Sequence, residues 1–315
     1  MIVDTYVSLD DIRAARERIR GVARYTPLIE ADGLWLKAES LQPMGAFKIR
    51  GAYNMIAQLP PEARQRGVIT YSSGNHGQAV ALAAQQLGAP AVIVMPTTAP
   101  KVKVDGCKGY GAEVIMEGTT SLDRQARAEK EARERGLTIV PPFDHAQIVA
   151  GQGTVGLEIL EQCPDVGTVF APAGGGGLAS VTAAAIKQIK PDVRIVAVEP
   201  LGAAKMTKSL EAGRPTTLPS SASIADGLMN LRPGDITFAH IRKFVDEVVT
   251  VREDAIAEAV AWLFRHARLV VEPSGAVTTA AARLGLGHPQ GKVVAIVSGG
   301  NVAPEAFAKY VGANL

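Results

Sequence analysis

Two cysteines, Cys107 and Cys163, are the only thiols in this 315-residue chain. They lie far apart and in no CxxC arrangement. That speaks against a disulfide framework or a thiolate metal site, and a reducing cytoplasm is the expected setting. The five histidines are scattered, with no HxxxH or HxH, so no metal cluster is expected either. Neither sign of charge is in excess: 33 basic residues face 31 acidic ones, for a net charge of +2. Such a balance gives no reason to expect a nucleic-acid or membrane-surface partner. No stretch approaches ~18 uninterrupted apolar residues, so no membrane span is expected. The segment from Met1 to Asp11 carries three acids and no apolar h-region, and does not read as a secretory signal. Internal repeats and low-complexity segments are absent as well.

What is present is a large apolar fraction, 47% of residues, enough for a sizeable core. The length exceeds one minimal domain and suits two. Short apolar runs alternate with helical stretches. Strands are expected at Leu34 to Ala38, Gly67 to Tyr71, Ala91 to Met95, Glu113 to Met116, Thr138 to Val140, Val166 to Ala171, Arg194 to Glu199 and Val293 to Ser298. Helices are expected at Gly77 to Leu87, Ser121 to Arg135 and Leu178 to Lys190. The apolar runs are continuous rather than alternating, as in strands covered on both faces. The expectation is an α/β protein with doubly wound open parallel sheets. Two hinges are expected: one near Glu39 to Pro43, the other at Pro141-Pro142.

Several segments carry candidate chemistry. Gly174-Gly175-Gly176-Gly177 follows a strand and opens a helix at Leu178. Successive glycines let backbone N–H groups turn toward one point without Cβ interference, and the helix N-terminus adds partial positive charge. This is an anion nest suited to phosphate; the plainer reading is a flexible hinge. No Gly-Lys-Ser/Thr follows, so it is not a Walker P-loop. Gly151-Gln-Gly-Thr-Val-Gly156 matches GxGxxG, but it lies mid-chain after a poor strand. A packing role at a helix start is expected there rather than a dinucleotide site.

Lys48 sits in Gly45-Ala-Phe-Lys-Ile-Arg-Gly51, an aromatic and aliphatic setting. Burying an ammonium is costly and lowers its pKa, which an amine needs if it is to condense with an aldehyde. Arg50 is expected to lower it further. The plainer reading is a snorkelling helix lysine. Ser72-Ser73-Gly74-Asn75-His76-Gly77 lies at the C-terminal end of a strand, where doubly wound folds place ligands. It reads equally well as an N-cap with turn residues. Ser298-Gly-Gly-Asn301 ends the last strong strand, and alone is a turn.

In this order and spacing the four segments resemble the fold-type II pyridoxal-phosphate enzymes, tryptophan synthase β-like in fold, and within them the threonine/serine dehydratase and serine racemase group. The resemblance runs from about Leu9 to the C-terminus. It implies a large cofactor-binding domain over 1–40 and 143–315 and a small domain over 41–142. It implies pyridoxal 5'-phosphate carried by Lys48, Phe47 beside its ring, and Asn75 at the ring's 3′ oxygen. Gly174, Gly175, Gly176, Gly177 and Leu178 would take the phosphate, and Ser298 would face the ring nitrogen. Ser72, Ser73, Gly74, Asn75 and His76 would bind the substrate carboxylate. Ser73 would also handle a proton on the face opposite Lys48, and Lys48 would serve as base for the Cα proton. The implied activity is conversion of L-threonine or L-serine type β-hydroxy amino acids to 2-oxo acids and ammonia. A dehydratase for 3-hydroxyaspartate or phenylserine, or a serine racemase, shares every motif. A homodimer is implied.

Three residues depart from the group's pattern or stand out against it. Ala46 stands where a serine is usual. Glu199 ends a Val-Glu-Pro strand, but Lys205 stands where metal-binding members have a further carboxylate, so no metal is expected. Arg124 lines up roughly with an arginine used near acidic substrates; its plainer reading is a solvated charge on a helix.

Overall fold

The computed structural model describes residues 6–72, 74–99, 101–119 and 121–312. Among the described residues ten strands are present: β1 Leu28–Ala31, β2 Leu34–Lys37, β3 Val68–Tyr71, β4 Ala91–Met95, β5 Glu113–Met116, β6 Thr138–Ile139, β7 Val166–Pro172, β8 Arg194–Pro200, β9 Glu247–Val251 and β10 Lys292–Ile296. They form two sheets. Four strands lie in the order β5-β4-β3-β6, and six in the order β1-β2-β10-β7-β8-β9. The four-stranded sheet is parallel throughout. The six-stranded sheet is parallel except at one edge, where β1 folds back antiparallel on β2. Parallel sheets demand helices on both faces, so β4, β7 and β8 are almost wholly buried and their sequences read as unbroken apolar runs. β1 and β9 were not expected; both are sheet edges, half-covered, with charged residues in short runs.

The GxGxxG match is a correction. Gly151, Gly153 and Gly156 lie inside the helix Ala146–Gln162, not at its start. A Cβ on Gly151 would come within 2.5 Å of the Arg50 carbonyl oxygen, and one on Gly156 within 2.9 Å of the Thr182 carbonyl oxygen. The glycines let this helix press against Ile49–Ile56 on one side and Gly177–Lys187 on the other. Both partner helices carry candidate site residues at their N-termini. The sequence pattern thus marks a packing seam that sets the distance between Lys48 and the glycine run.

Candidate active site

Three parallel strands deliver the candidate segments at their C-terminal ends. Gly174 to Gly177 follow β7, Ser72 to His76 follow β3, and Ser298 to Asn301 follow β10. Ligands bind at such strand ends because neighbouring connections diverge there and leave a crevice.

The Lys48 segment is hydrogen-bonded directly to the last of these. Phe47 N donates to the Ser298 carbonyl at 3.1 Å, and Gly300 N to the Gly45 carbonyl at 2.8 Å. Ala46 and Gly299 form a β-bridge. Gly45 has φ +80°, and a Cβ there would meet the Asn301 amide at 2.4 Å, so both conformation and space call for glycine. Lys48 caps the helix Ile49–Ile56, and its Nζ donates to the Pro142 carbonyl at 2.6 Å. Burial pushes its pKa down to about 8. Arg50 takes no part in that shift, which corrects the expectation. Its guanidinium turns the other way, to Glu39 and Glu158 in a buried cluster with Lys37.

The glycine run lies one residue beyond the lysine's acceptor. A Cβ on Gly175 would lie 2.5 Å from the Phe143 ring, and one on Gly177 2.9 Å from the Phe143 Cβ. Pro142 and Phe143 therefore join the amine to the glycine turn. Gly176 is left-handed, with φ +96°, and caps the helix Gly177–Lys187. Among the described residues nothing accepts a hydrogen bond from the N–H groups of Gly174, Gly175 and Gly176. The first N–H groups of the helix, from Gly177 and Leu178, have no intrahelical acceptor by geometry. Five adjacent donors at a helix N-terminus form an anion cradle.

Asn75 opens the helix Asn75–Gln86. Its Nδ2 donates to Glu272 Oε1 at 2.5 Å, and its Oδ1 accepts from Asn301 Nδ2 at 2.7 Å. This fixes the amide's orientation and leaves one N–H of Nδ2 to offer. His76 is buried, with Nε2 3.0 Å from the Val140 carbonyl. Burial, then the nearby Lys48 charge, pushes its pKa down to about 3. The ring is neutral, so Nε2 donates and His76 is no acid at neutral pH. The Ser298 hydroxyl is buried and donates to the Ser274 carbonyl at 3.4 Å. Ser73 lies outside the described residues. Arg124 is half-buried, with a long bond from Nη1 to the Thr119 carbonyl at 3.4 Å.

Glu272 is a site residue the sequence analysis missed. It precedes the helix Pro273–Arg283, is 3% exposed, and its Oε1 would lie 2.2 Å from a Cβ on Gly299. Burial, then the charge of Asp226, pushes its pKa up to about 7. The only signal was a lone acid between the apolar run Leu269-Val-Val271 and Pro-Ser-Gly275. Lys103 was missed too: it pairs with Asp226 at 2.6 Å and lies 3.5 Å from a Cβ position on Gly74.

Two open sheets, with a desolvated amine and a glycine anion cradle meeting at their strand ends, define a fold-type II pyridoxal-phosphate enzyme. The chain belongs to the pyridoxal-phosphate dependent enzyme family, whose match runs over residues 19–299. It is 42% identical over 304 residues to an L-threonine ammonia-lyase of Thermotoga maritima, covering 94% of this chain and 76% of that protein. It is 40% identical over 296 residues to an L-threonine dehydratase, biosynthetic IlvA, of Haemophilus influenzae. That match covers 90% of this chain and 58% of the longer relative. The solved structure of maize serine racemase superposes with a TM-score of 0.93 at 39% identity, over 98% of both chains. The residues in hand fit the cofactor this family uses. The cradle offers unpaired N–H groups to a phosphate, its glycines leave no space for side chains, and Lys48 is an amine of lowered pKa beside it.

Proposed function

We propose that this chain is an ammonia-lyase that removes water and ammonia from small L-β-hydroxy amino acids of the threonine and serine type. In this reading Lys48 would hold pyridoxal phosphate, and its amine would serve as base for the substrate's Cα proton. The cofactor supplies an electron sink for the charge left at Cα. The rest is done by the chain's own groups. N–H groups of Gly174, Gly175, Gly176, Gly177 and Leu178 hold the phosphate, and Phe47 lies beside the ring. Asn75 offers its remaining N–H to the ring's 3′ oxygen. Ser298 presents a neutral hydroxyl to the ring nitrogen, which does not favour protonation there as a carboxylate would. Ser72, Ser73, Gly74, Asn75 and His76 bind the substrate carboxylate, with His76 holding its loop in place as a neutral ring. Ser73 handles the proton on the far face.

The observation that supports this most is the meeting of a desolvated amine and an unpaired N–H cradle across the single peptide Pro142–Phe143. The domain boundaries go with it: 1–40 and 143–315 for the large domain, 41–142 for the small one. So do a homodimer and a cytoplasmic setting; both cysteines are free and buried. A second reading, serine racemase, is favoured by the full-length match to the maize enzyme. A dehydratase for 3-hydroxyaspartate or phenylserine is the further alternative.

The test is an absorbance spectrum of the purified chain with pyridoxal phosphate, followed by borohydride reduction and mapping of the labelled residue. A panel of β-hydroxy amino acids is then assayed for 2-oxo acid release and for D-serine. Label on Lys48 with 2-oxo acid from L-threonine or L-serine is the expected result. Absence of bound cofactor, or label elsewhere, would sink the assignment; turnover confined to 3-hydroxyaspartate, or racemisation alone, would replace the substrate reading.

A further inference from the structure

Lys205 opens the short helix Lys205–Glu211, just after β8 and the turn Leu201–Ala203. Its side chain is 0% exposed. Its Nζ donates to the carbonyl oxygens of Ala203 at 2.8 Å, Leu228 at 3.0 Å and Ala173 at 3.2 Å. Glu199 Oε1 lies 3.1 Å away. An ammonium has three N–H donors, so the three carbonyls engage all of them and the carboxylate supplies the counter-charge. Three backbone carbonyls and a carboxylate around one buried positive charge is the ligand set of a cation site. The spacing suits N–H···O bonds, and is wider than the roughly 2.0 to 2.6 Å that magnesium or calcium requires.

The position of this charge matters. Ala173 is the residue before Gly174, so its carbonyl and the Gly174 N–H belong to the same peptide unit. That unit is planar and trans, and its C=O and N–H point in opposite directions. With the oxygen held by Lys205, the N–H is directed away from the ammonium. A charge on the oxygen also polarises the unit and makes its N–H a stronger donor. Leu228, one of these ligands, and Met206, next to Lys205 in the chain, frame the same turn. A Cβ on Gly174 would lie 3.2 Å from the Leu228 side chain, and one on Gly176 3.1 Å from the Met206 Cε.

We propose that Lys205 is a tethered cation: a positioning residue whose ammonium fills a cation seat behind the glycine cradle, so that this chain grips its cofactor's phosphate without any dissolved metal ion. The inference rests on the cradle holding that phosphate. A covalently held charge is present at full occupancy whatever the salt, whereas a free ion must be recruited from solution.

The test reads cofactor affinity by equilibrium dialysis against pyridoxal phosphate, without substrate, with circular dichroism to follow folding. Wild-type affinity is expected to be the same, within about twofold, in chelator with tetramethylammonium chloride and in potassium, ammonium or magnesium chloride at equal ionic strength. Lys205→Ala in tetramethylammonium chloride is expected to bind about tenfold more weakly or worse. Ammonium or potassium, which can enter the vacated seat, is expected to restore most of the loss. Undiminished affinity in Lys205→Ala, or a loss that neither ion reverses, overturns the proposal. If that variant does not fold, the wild type decides: a gain in affinity from added metal ion overturns the proposal, and indifference to it is the supporting result. A wild-type chain that binds no pyridoxal phosphate under any condition would instead overturn the functional reading itself.

Discussion

Lys48 and Lys205 are both lysines with desolvated amines, and they do opposite things. Among the described residues Lys48 has one hydrogen-bond acceptor, the Pro142 carbonyl. No carboxylate among the described residues offsets its burial, and its pKa falls to about 8. Lys205 has three carbonyls and a carboxylate. Burial lowers its pKa too, but Glu199 pulls it back. A buried amine is thus a reagent or a strut according to how many oxygens surround it. One acceptor leaves a lone pair recoverable near neutral pH. Four oxygens hold the proton in place and turn the charge into a cross-link between β7, β8 and the turn at Leu228.

The largest expected effect breaks this comparison on the side of reactivity. If Lys48 is both base and covalent carrier, as proposed, Lys48→Ala should lower turnover by at least about a thousandfold. Its circular dichroism should match the wild type. Turnover within tenfold of the wild type would remove Lys48 from the chemistry.

The next effect lies on the side of stability. Lys205→Met keeps the volume but leaves Glu199 buried without its counter-charge, held by the N–H groups of Met206 and Thr207 and by the Thr207 hydroxyl. Breaking a buried pair by removing one member costs about 3 to 5 kcal/mol, so the cofactor-free variant should melt well below the wild type. Lys48→Met removes an ammonium that has no carboxylate partner, and should leave the melting temperature of the cofactor-free chain level or higher. Equal destabilisation by both substitutions would erase the distinction drawn between them.

Between these lysines sits the cradle, and Gly175→Ala tests how tightly it is built. The new Cβ would lie 2.5 Å from the Phe143 ring. The ring must move, and Pro142 is its neighbour. Cofactor affinity should fall by about tenfold, with a smaller change in the folded chain's stability. Unchanged affinity would mean that the cradle is looser than its packing implies.

Much of this was legible in the chain itself, for identifiable reasons. β4, β7 and β8 are covered on both faces, so they write themselves as apolar runs. The glycine run and the lysine segment were visible because a backbone nest and a buried amine need unusual residues. What was hidden depends on partners distant in sequence. Gly151 to Gly156 read as a helix start because glycines weaken a helix pattern. Only the approach of Arg50 and Thr182 explains why they sit mid-helix. Arg50 was expected to act on Lys48, but Glu39 and Glu158 claim it. Glu272 looked like an isolated acid until Asn75, 197 residues away, placed it in the site. Lys205 was legible as a departure, and its ring of carbonyls was not.

The smallest expected effect concerns pH, where Lys48 and Glu272 should act with opposite sign. Stability rises with pH wherever the unfolded chain holds more protons than the folded one. Lys48 falls from 10.5 to about 8 on folding, so across that interval the unfolded chain keeps a proton the folded chain has lost. The cofactor-free protein should gain stability as pH rises from about 8 toward 10.5. Glu272 is raised from 4.5 to about 7, so the folded chain keeps the extra proton. Stability should fall as pH rises from 4.5 to about 7. Lys205 and Lys37 are lowered too and share the first sign, so the contribution of Lys48 must be read as a difference. Urea unfolding of wild type and Lys48→Met at intervals from pH 4.5 to 10.5 should give curves that diverge above about pH 8, with the wild type gaining on the variant as pH rises. Glu272→Gln should leave that divergence intact and flatten the slope below pH 7. Parallel curves for wild type and Lys48→Met would mean that the amine is solvated in the free enzyme, and that its reactivity needs another source than burial.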